Sequence, residues 1–423
     1  MIYDVIIAGA GPSGMTAAIC ASDTAIYSMF SDSKGGRTKP NILLLEKNKK
    51  IGKKLYATGN GRCNLSNKEF HLGCYDSENE FFPYKVIGAE DYRVVNQFIQ
   101  ALGVAVDDEN GYFYPSSRQA SAVVWAFTDR LKQNGIQIHT GEMVLEITKQ
   151  AEHLYQIRTD KASYRAKNVV LACGGPAAPK LGGTKDGCIL LDQLGIPYHP
   201  FRPALCKLRC QENLTDISGV RCRATAAIET ESGKEIAKEQ GEVQFTDTFI
   251  SGIVVFNLSH IVGTLLDNGQ TVLLKLSLVP ELDTSDLIAF FSACKENNAE
   301  RNLLACLNGL VHEKIAAYIL SVCDLKNKKA GELSEDEIRT LSETIKNLKF
   351  TITGTADFED AQVAKGGADT RFLNPETMEV TVADGIYLIG EVVDVNGICG
   401  GYNLMWAIRT GMKAGFKIYD SDK

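Results

Sequence analysis

The chain has 423 residues, of which 44% are hydrophobic and 23% charged, and its formal net charge is −7. This composition is typical of a soluble globular protein, and the length predicts two or three domains at about 150 residues each. The negative charge argues against nucleic acid or an anionic membrane as the main partner, and no apolar run reaches the roughly 18 residues of a transmembrane helix. We therefore expect a cytoplasmic protein without a signal peptide.

Twelve cysteines are present, but their spacing indicates no metal site and no redox pair. No C-x-x-C occurs, and the six histidines do not cluster with the cysteines. In a reducing cytosol, most of these cysteines are expected to be small buried apolar residues.

The N-terminal segment Tyr3–Ala8 predicts a buried strand that leads through a glycine-rich turn into a helix over Ser13–Thr24. The turn has the pattern Gly-x-Gly-x-x-Gly. Gly9 permits the tight turn, Gly11 lets the backbone approach a pyrophosphate, and Gly14 lets the helix pack closely on the sheet. The N–H groups and the positive dipole at the start of the helix would stabilise the phosphates, so the segment predicts a dinucleotide site.

A second buried strand, over Asn41–Leu45, ends in Glu46. A carboxylate there can accept hydrogen bonds from the adenosine ribose and repels a 2′-phosphate, which favours FAD or NAD over NADP. Glu46 lies 32 residues after Gly14 (46 − 14), against about 20 in the usual unit, so we expect Ser31–Pro40 to be an inserted loop. The alternative is an ordinary β-α-β turn with a surface glutamate.

The next segment, Lys47–Lys54, carries five lysines and predicts a solvated helix face. It leads into a second glycine-rich turn, where Gly59 and Gly61 permit close backbone approach and Arg62 and Asn64 supply hydrogen-bond donors. A flat ring with polar edges and carbonyl groups would suit this combination.

Two helices are predicted next, over Ala89–Leu102 and Ala120–Gln133. Alternating apolar residues then predict a four-stranded β-meander over 136–139, 144–147, 154–158 and 164–166. The meander leads into a buried strand from Asn168 that ends at Gly174 and Gly175, whose backbone N–H groups would face the same ligand.

The pattern changes near Ile196, after which β segments are predicted without intervening helices, over 205–210, 223–229, 242–245, 253–257 and 271–278. They predict an antiparallel barrel or sandwich. The residues from Ser285 to Leu348 predict helices, with an N-cap at Ser334, and Lys349–Thr355 returns to a β pattern.

The C-terminal part predicts a buried strand over Gly385–Glu391 and a helix over Met405–Phe416. The carboxylate of Glu391 can bind sugar or ribitol hydroxyls, and the helix that follows Gly400 and Gly401 can stabilise negative charge on a bound ring. The alternative is a glycine-rich connection without a ligand.

Three blocks together resemble a known family: 57–67 (ATGNGRCNLSN), 171–175 (LACGG) and 390–404 (GEVVDVNGICGGYNL). They are similar to bacterial NAD(P)/FAD-dependent oxidoreductases, the HI0933-like or aminoacetone-oxidase-like three-domain flavoproteins. The chain departs from the family in its long loop before Glu46 and in Cys173, where relatives often carry threonine.

The resemblance implies an α/β fold with three domains. These are a Rossmann-type FAD-binding domain over 1–195 and 363–423, an inserted antiparallel β-barrel over 196–280 and 349–362, and a helical domain over 281–348. It also implies that FAD occupies the N-terminal site. The expected cofactor-binding residues are Gly9, Gly11, Pro12, Ser13, Gly14, Glu46, Lys47, Lys54, Gly59, Gly61, Arg62, Cys63, Asn64, Val144, Gly174, Gly175, Gly390, Glu391, Tyr402, Asn403 and Leu404. The first glycines and Glu46 would hold the ADP half, and the residues from Arg62 to Asn64 and from Gly390 onward would surround the ribitol and isoalloxazine.

We therefore expect an FAD-dependent oxidoreductase that transfers a hydride between non-covalent FAD and an unidentified small molecule, with NAD(P)H or oxygen as the other redox partner. No second Gly-x-Gly-x-x-Gly and no cysteine pair occur, so neither a nicotinamide-binding domain nor dithiol chemistry is predicted. Cys63 is expected to pack rather than to act as a nucleophile. The alternatives are an FAD-dependent tRNA-modifying protein, which the acidic balance disfavours, and a non-catalytic flavin redox sensor. The sequence assigns no catalytic residue and no oligomeric state.

Overall fold

The structure is a computed structural model that describes residues 1–31 and 39–421. The predicted inserted loop, Ser31–Pro40, therefore lies almost wholly outside the described residues. The chain divides into two compact units, one of Met1–Arg202 with Val363–Lys423 and one of Pro203–Gln362.

The first unit opens with the strands and helices that precede the second unit in the chain. Its strands are β1 (Tyr3–Ala8), β2 (Ile42–Glu46), β3 (Ser66–Asn67), β4 (Tyr75–Asp76), β5 (Val106–Glu109), β6 (Tyr112–Pro115), β7 (Gln137–Thr140), β8 (Val144–Ala151), β9 (Leu154–Thr159), β10 (Ser163–Leu171) and β11 (Tyr198–Ala204), whose last two residues belong to the second unit. Its helices are α1 (Pro12–Ser22), α2 (Thr24–Phe30), α3 (Phe82–Val86), α4 (Asp91–Ala101), α5 (Ala120–Gln133) and α6 (Asp186–Gln193).

The second unit combines strands with five helices. The strands are β12 (Leu208–Cys210), β13 (Arg221–Thr230), β14 (Glu235–Phe245), β15 (Phe249–Ser251), β16 (Val272–Ser277) and β17 (Leu348–Thr355). The helices are α7 (Ile253–Asp267), α8 (Thr284–Asn297), α9 (Leu303–Leu307), α10 (Glu313–Val322) and α11 (Glu335–Lys346). The chain then returns to the first unit with β18 (Val363–Ala368), β19 (Ile386–Leu388), β20 (Asn396–Gly397) and α12 (Tyr402–Ser421).

A seven-stranded sheet forms the centre of the first unit, in the order β7-β2-β1-β10-β9-β8, with β19 also paired to β10. Strands β7, β2, β1, β10 and β19 run parallel, whereas β8, β9 and β10 are antiparallel. The core strands are continuous apolar runs because helices cover both faces of a parallel sheet. The apolar residues of the unit form one buried cluster that includes α1 and α12.

The pairing corrects the predicted four-stranded meander. Strand β7 pairs in parallel with β2, with Ile138 opposite Leu44, so it is an outer strand of the parallel sheet. Only β8, β9 and β10 form a meander. An alternating pattern predicts that a segment is a strand, but it does not tell which strand it pairs with.

The second unit contains a closed barrel in the order β12-β15-β14-β13-β16-β17. The buried residues of the barrel and of α8, α10 and α11 form one apolar cluster, which includes Phe291, Ile319 and Phe350. The predicted N-cap of α11 is confirmed, because the Ser334 hydroxyl accepts a hydrogen bond from the Glu337 N–H at 3.2 Å.

One β segment predicted for this unit is wrong. Residues 253–257 begin the helix α7 rather than a strand. The β-branched run Ile253-Val254-Val255 suggested a strand, but Val255, Leu258 and Val262 are buried at helical spacing. Tertiary burial therefore overrides a weak local β preference. Among the described residues, no helix combines the length and apolar character needed to cross a membrane.

Candidate functional site

The glycine-rich turn between β1 and α1 has room for a ligand at one position only. A Cβ on Gly9, whose φ is +111°, would lie 2.2 Å from the Ala172 carbonyl oxygen, and a Cβ on Gly14 would lie 2.0 Å from the Gly9 carbonyl oxygen. A Cβ on Gly11 would meet no atom of the described chain within 4 Å. Open space thus adjoins the N-terminus of α1, where no described side chain caps the backbone and Pro12 begins the helix. This arrangement suits a phosphate.

Glu46 is a buried carboxylate that ties the end of β2 to this turn. Its side chain is 8% exposed, which rules out a surface glutamate. Its Oε2 accepts a hydrogen bond from the Ala10 N–H at 3.0 Å, and its Oε1 accepts from the Asn48 N–H at 2.8 Å and from Asn48 Nδ2 at 2.7 Å. A carboxylate offers about four lone-pair sites, so Oε2 keeps acceptor capacity for a ligand hydroxyl.

Two further predicted residues flank the same strand end. Lys47 pairs through Nζ with Asp186 Oδ2 at 3.3 Å. Val144 begins β8 two residues after Glu142, whose N–H donates to the Glu46 carbonyl oxygen at 3.0 Å. The chain therefore brings Lys47 and Val144 to the end of β2 that carries Glu46.

Glu391 lies three residues after β19, in the 3-10 turn Gly390–Val392, and is held by a cation as well as by backbone groups. Lys54 Nζ lies 2.9 Å from Oε2 and 3.2 Å from Oε1. The Ala364 N–H donates to Oε1 at 2.9 Å, and the Gly175 N–H lies 3.4 Å from Oε2. A Cβ on Gly174 would be 3.8 Å from Oε2, so the segment that follows β10 passes directly beside this carboxylate.

Gly390 connects the C-terminal block to the first turn. Its φ is +71°, and a Cβ there would lie 2.6 Å from the Ser13 hydroxyl oxygen in the first turn of α1. Its N–H donates to the Thr410 hydroxyl at 3.0 Å, and its carbonyl accepts from Trp406 Nε1 at 3.1 Å. The predicted residues from three separate parts of the chain therefore converge around the start of α1.

The second glycine-rich turn lies against the start of α12. A Cβ on Gly401 would be 2.7 Å from Asn64 Oδ1, and this buried oxygen has no hydrogen-bond partner among the described residues. Gly59 and Gly61 both have positive φ and adjoin a kink in the 3-10 turns of Lys53–Gly61. The unpartnered Asn64 oxygen is an acceptor that a bound ring could satisfy.

Cys63 and Arg62 differ in what they can do there. Burial raises the pKa of Cys63 to about 11, a shift that the Thr58 side chain partly opposes, so its thiolate is disfavoured. Arg62 is exposed, and its guanidinium lies 5.1 Å from the centre of the Tyr114 ring, which Arg118 also covers at 4.7 Å. The guanidinium of Arg62 therefore stacks on an aromatic ring.

The side chains that begin α12 make internal contacts. Asn403 accepts from the Gly397 N–H at 2.9 Å and donates to the Gly397 carbonyl at 2.7 Å. The Tyr402 hydroxyl donates to the Glu69 carbonyl at 2.8 Å, and Leu404 is buried. These residues would contact a ligand through the backbone at the helix N-terminus.

Sequence reasoning missed a polar cavity of about 210 Å³ in the first unit. Its lining residues include Glu78, His199, Arg202, Lys365 and Asp394. The one signal in the sequence is the carboxylate of Asp394 within the apolar run Val392-Val393-Asp394-Val395. A charged residue in such a run predicts a buried polar group, but not its partners.

The family model described as HI0933-like protein Rossmann domain matches residues 3–417. A 3-dehydro-bile acid delta(4,6)-reductase of Clostridium scindens is 34% identical over 97% of both chains, and a ribosomal RNA dihydrouridine synthase of Haemophilus influenzae is 26% identical over 95% of both. A solved 3-ketosteroid-delta4-(5alpha)-dehydrogenase from Rhodococcus jostii is 13% identical, with a TM-score of 0.47 over 99% of this chain and 96% of that one.

Proposed function

We infer the function of this chain from the family to which it belongs, the HI0933-like Rossmann-domain family. Membership confirms the predicted α/β fold class, and the 34% identical reductase confirms an FAD-dependent oxidoreductase. We propose a finer assignment: the chain reduces a carbon–carbon double bond conjugated to a carbonyl group in a small molecule, with NAD(P)H as the electron source.

The observation that carries this proposal is the bond change shared by two relatives that each align with nearly the whole chain. Delta(4,6) double bonds beside the 3-oxo group of a 3-dehydro-bile acid are conjugated to that carbonyl. The double bond that is saturated when uridine becomes dihydrouridine is likewise conjugated to a ring carbonyl. Both reactions add a hydride and a proton across an activated double bond, and the same class of reaction suits this chain.

The residues of the site fit FAD. The open space beside Gly11 and the uncapped start of α1 suit a pyrophosphate, and Glu46 lies beside that turn with acceptor capacity left on Oε2. The unpartnered oxygen of Asn64 suits a ring that carries N–H groups. FAD, when bound and reduced, supplies a hydride.

The chain itself must position the substrate, stabilise charge on its carbonyl oxygen and provide a proton. Donors aimed at a developing oxyanion are the usual source of the largest rate effect, and a placed acid adds about 10²–10⁴-fold. His199, Arg202 and Lys365 supply donors in one cavity, and the start of α12 supplies a positive dipole.

The proposal is tested with purified protein reconstituted with FAD. Denaturation should release intact, non-covalent FAD. Under anaerobic conditions NADH or NADPH should bleach the flavin, and 2-cyclohexen-1-one or a 3-oxo-Δ4 steroid should restore its absorbance. Cyclohexene, whose double bond is not conjugated, is the matched control and should leave the flavin reduced. Reoxidation by oxygen alone, with no enone active, would contradict the proposal.

A second candidate applies the same bond change to RNA, and the 26% identical dihydrouridine synthase favours it. The sequence-based alternative named tRNA, whereas that relative is named for ribosomal RNA. Lys49, Lys50 and Lys53 are exposed and could contact phosphates, although the net charge of −7 opposes RNA binding. Loss of dihydrouridine from ribosomal RNA in cells that lack the chain would support this candidate, and unchanged ribosomal RNA would reject it.

A further inference from the structure

The cavity around Asp394 is too small for a whole large ligand. Pockets for drug-sized molecules measure about 300–1,000 Å³, whereas this one measures about 210 Å³. It can hold one ring or the end of a larger molecule. The cavity is lined by side chains of both charges: Arg202 and Lys365 are cationic, and Glu78 is acidic. Lys365 Nζ also forms an ion pair with Asp76 Oδ2 at 2.9 Å. This near balance suits a neutral polar group such as a conjugated carbonyl.

The two oxygens of the buried Asp394 carboxyl have different hydrogen-bond surroundings. Its side chain is 1% exposed. Oδ2 accepts from the Glu78 N–H at 2.9 Å and lies 3.5 Å from the Ser77 hydroxyl, whereas Oδ1 has no hydrogen-bond partner among the described residues. Because an N–H donates to Oδ2, the proton of the acid form belongs on Oδ1. That O–H has no acceptor in the described chain, and Asp394 is one of the residues that line the cavity.

The surroundings of Asp394 favour the acid form. Burial raises the pKa of Asp394; the Glu78 N–H and the charge of His199 oppose this, and the carboxylates of Asp76 and Glu78 add to it. Arg202 and Lys365 also face the cavity. The side chain therefore keeps its proton to a higher pH than an exposed aspartate.

The cavity adjoins the predicted cofactor residues through two shared segments. Asp394 follows Glu391 by three residues, and its N–H donates to the Ala368 carbonyl at 3.0 Å. Strand β18 contacts Glu391 through the Ala364 N–H and lines the cavity with Lys365 and Gly366. A movement of β18 or of residues 390–394 would therefore alter both places.

We propose that Asp394 is the acid that protonates the substrate, and that its cavity receives the unsaturated carbonyl end. This rests on the proposed function. FAD, when bound and reduced by NAD(P)H, would supply the hydride for the β-carbon. The π electron pair of the double bond then forms a new C–H bond from the α-carbon to the proton on Oδ1. The O–H electron pair stays on Asp394 as a carboxylate, and a proton from the solvent restores the acid.

The test compares the FAD-loaded wild type with Asp394→Asn. The matched control is Asp384→Asn, an exposed aspartate on the turn before β19. Infrared spectra recorded over a pH series should show the carbonyl stretch of a protonated carboxyl that persists to higher pH than exposed aspartates in the wild type and in the control, and this band should be missing in Asp394→Asn. This readout needs no turnover.

The same three proteins, reduced anaerobically, are then mixed with 2-cyclohexen-1-one. Asp394→Asn should slow flavin reoxidation by about 100-fold or more, while reduction by NAD(P)H stays at the wild-type rate. The wild-type rate should fall as pH rises through the pKa of Asp394, and the variant should lack this dependence. If the variant does not fold, the spectrum and the pH profile of the wild type still test whether a protonated carboxyl takes part in the reaction.

The outcomes separate the two proposals. A wild type that reduces enones, with Asp394→Asn equally fast or with no protonated-carboxyl band, overturns the role of Asp394 and leaves the proposed function intact. A wild type that reduces no enone overturns the proposed function and the role of Asp394 together.

Discussion

Glu46 ends β2 and Glu391 follows β19, a parallel strand of the same sheet, yet the chain holds the two carboxylates differently. The Glu46 carboxylate is buried and takes its hydrogen bonds from the neutral groups of Ala10 and Asn48. The Glu391 carboxylate is partly exposed and forms an ion pair with Lys54. Glu46 therefore fixes the glycine-rich turn itself, whereas Glu391 and Lys54 form a more adjustable pair beside the expected ligand. Sequence position alone made the two glutamates look equivalent.

Removing Glu46 should have the largest effect on stability. Glu46→Ala should lower the free energy of unfolding of the FAD-free protein by about 2–6 kcal/mol, because the Ala10 and Asn48 N–H groups lose their acceptor at about 1–3 kcal/mol each. Urea unfolding measures this. The exposed Glu152→Ala is the control and should stay within about 0.5 kcal/mol.

A second substitution at this residue tests the ligand role of Glu46. Glu46→Gln should raise the FAD dissociation constant about tenfold to a hundredfold, which corresponds to a lost hydrogen bond to a charged group of about 1.5–3 kcal/mol. A loss of stability with an unchanged dissociation constant would show that Glu46 stabilises the turn but does not bind FAD.

Asp394 is a third carboxyl group of this unit, and its Oδ1 has no hydrogen-bond partner among the described residues. Because its folded pKa is raised above the unfolded value, its contribution to stability is complete below the unfolded pKa and is lost as pH rises through the folded pKa. In that window the free energy of unfolding should fall by up to about 1.4 kcal/mol per pH unit. Asp394→Asn should remove this slope. Equal slopes in both proteins would contradict the assignment.

The Lys54–Glu391 pair should contribute less. A double-mutant cycle with Lys54→Met and Glu391→Gln should give a coupling of about 0.5–1 kcal/mol without FAD, since both side chains are partly exposed. We expect a larger coupling with FAD bound, when water is excluded from the pair. A coupling that does not change on FAD binding would place the pair outside the site.

Arg62 should have the smallest effect. Its exposed guanidinium stacks on Tyr114, so Arg62→Met should lower the flavin midpoint potential by only about 20 mV or less, equivalent to about 1 kcal/mol in a two-electron couple. Arg118→Met, on the same ring, is the matched control. Equal shifts in both variants would indicate a general charge effect and not a specific role for Arg62.

The parts of the fold that the sequence predicted are those in which local pattern and packing agree. The run before Gly9 and the run before Glu46 are buried strands, and the glycine spacing anticipates two backbone clashes that only glycine avoids. Strand β7 and helix α7 were misassigned because pairing partners and tertiary burial decide those segments.

The sequence predicted the positions of the site residues but not the contacts that hold them. Spacing located the carboxylates of Glu46 and Glu391, but it could not show that one is tied by neutral groups and the other by Lys54. The cavity at Asp394 was missed because His199, Lys365 and Asp394 are distant in sequence and meet only after β11, β18 and the segment before β20 fold together.

The central claim, reduction of a conjugated double bond through FAD, is tested most directly by an anaerobic single turnover. The FAD-loaded protein is reduced with one equivalent of NADPH or NADH, mixed with 2-cyclohexen-1-one, and followed by flavin absorbance and product mass. We predict that one cyclohexanone forms for each flavin reoxidised. Flavin that stays reduced until oxygen enters, with the enone recovered unchanged, would contradict the account.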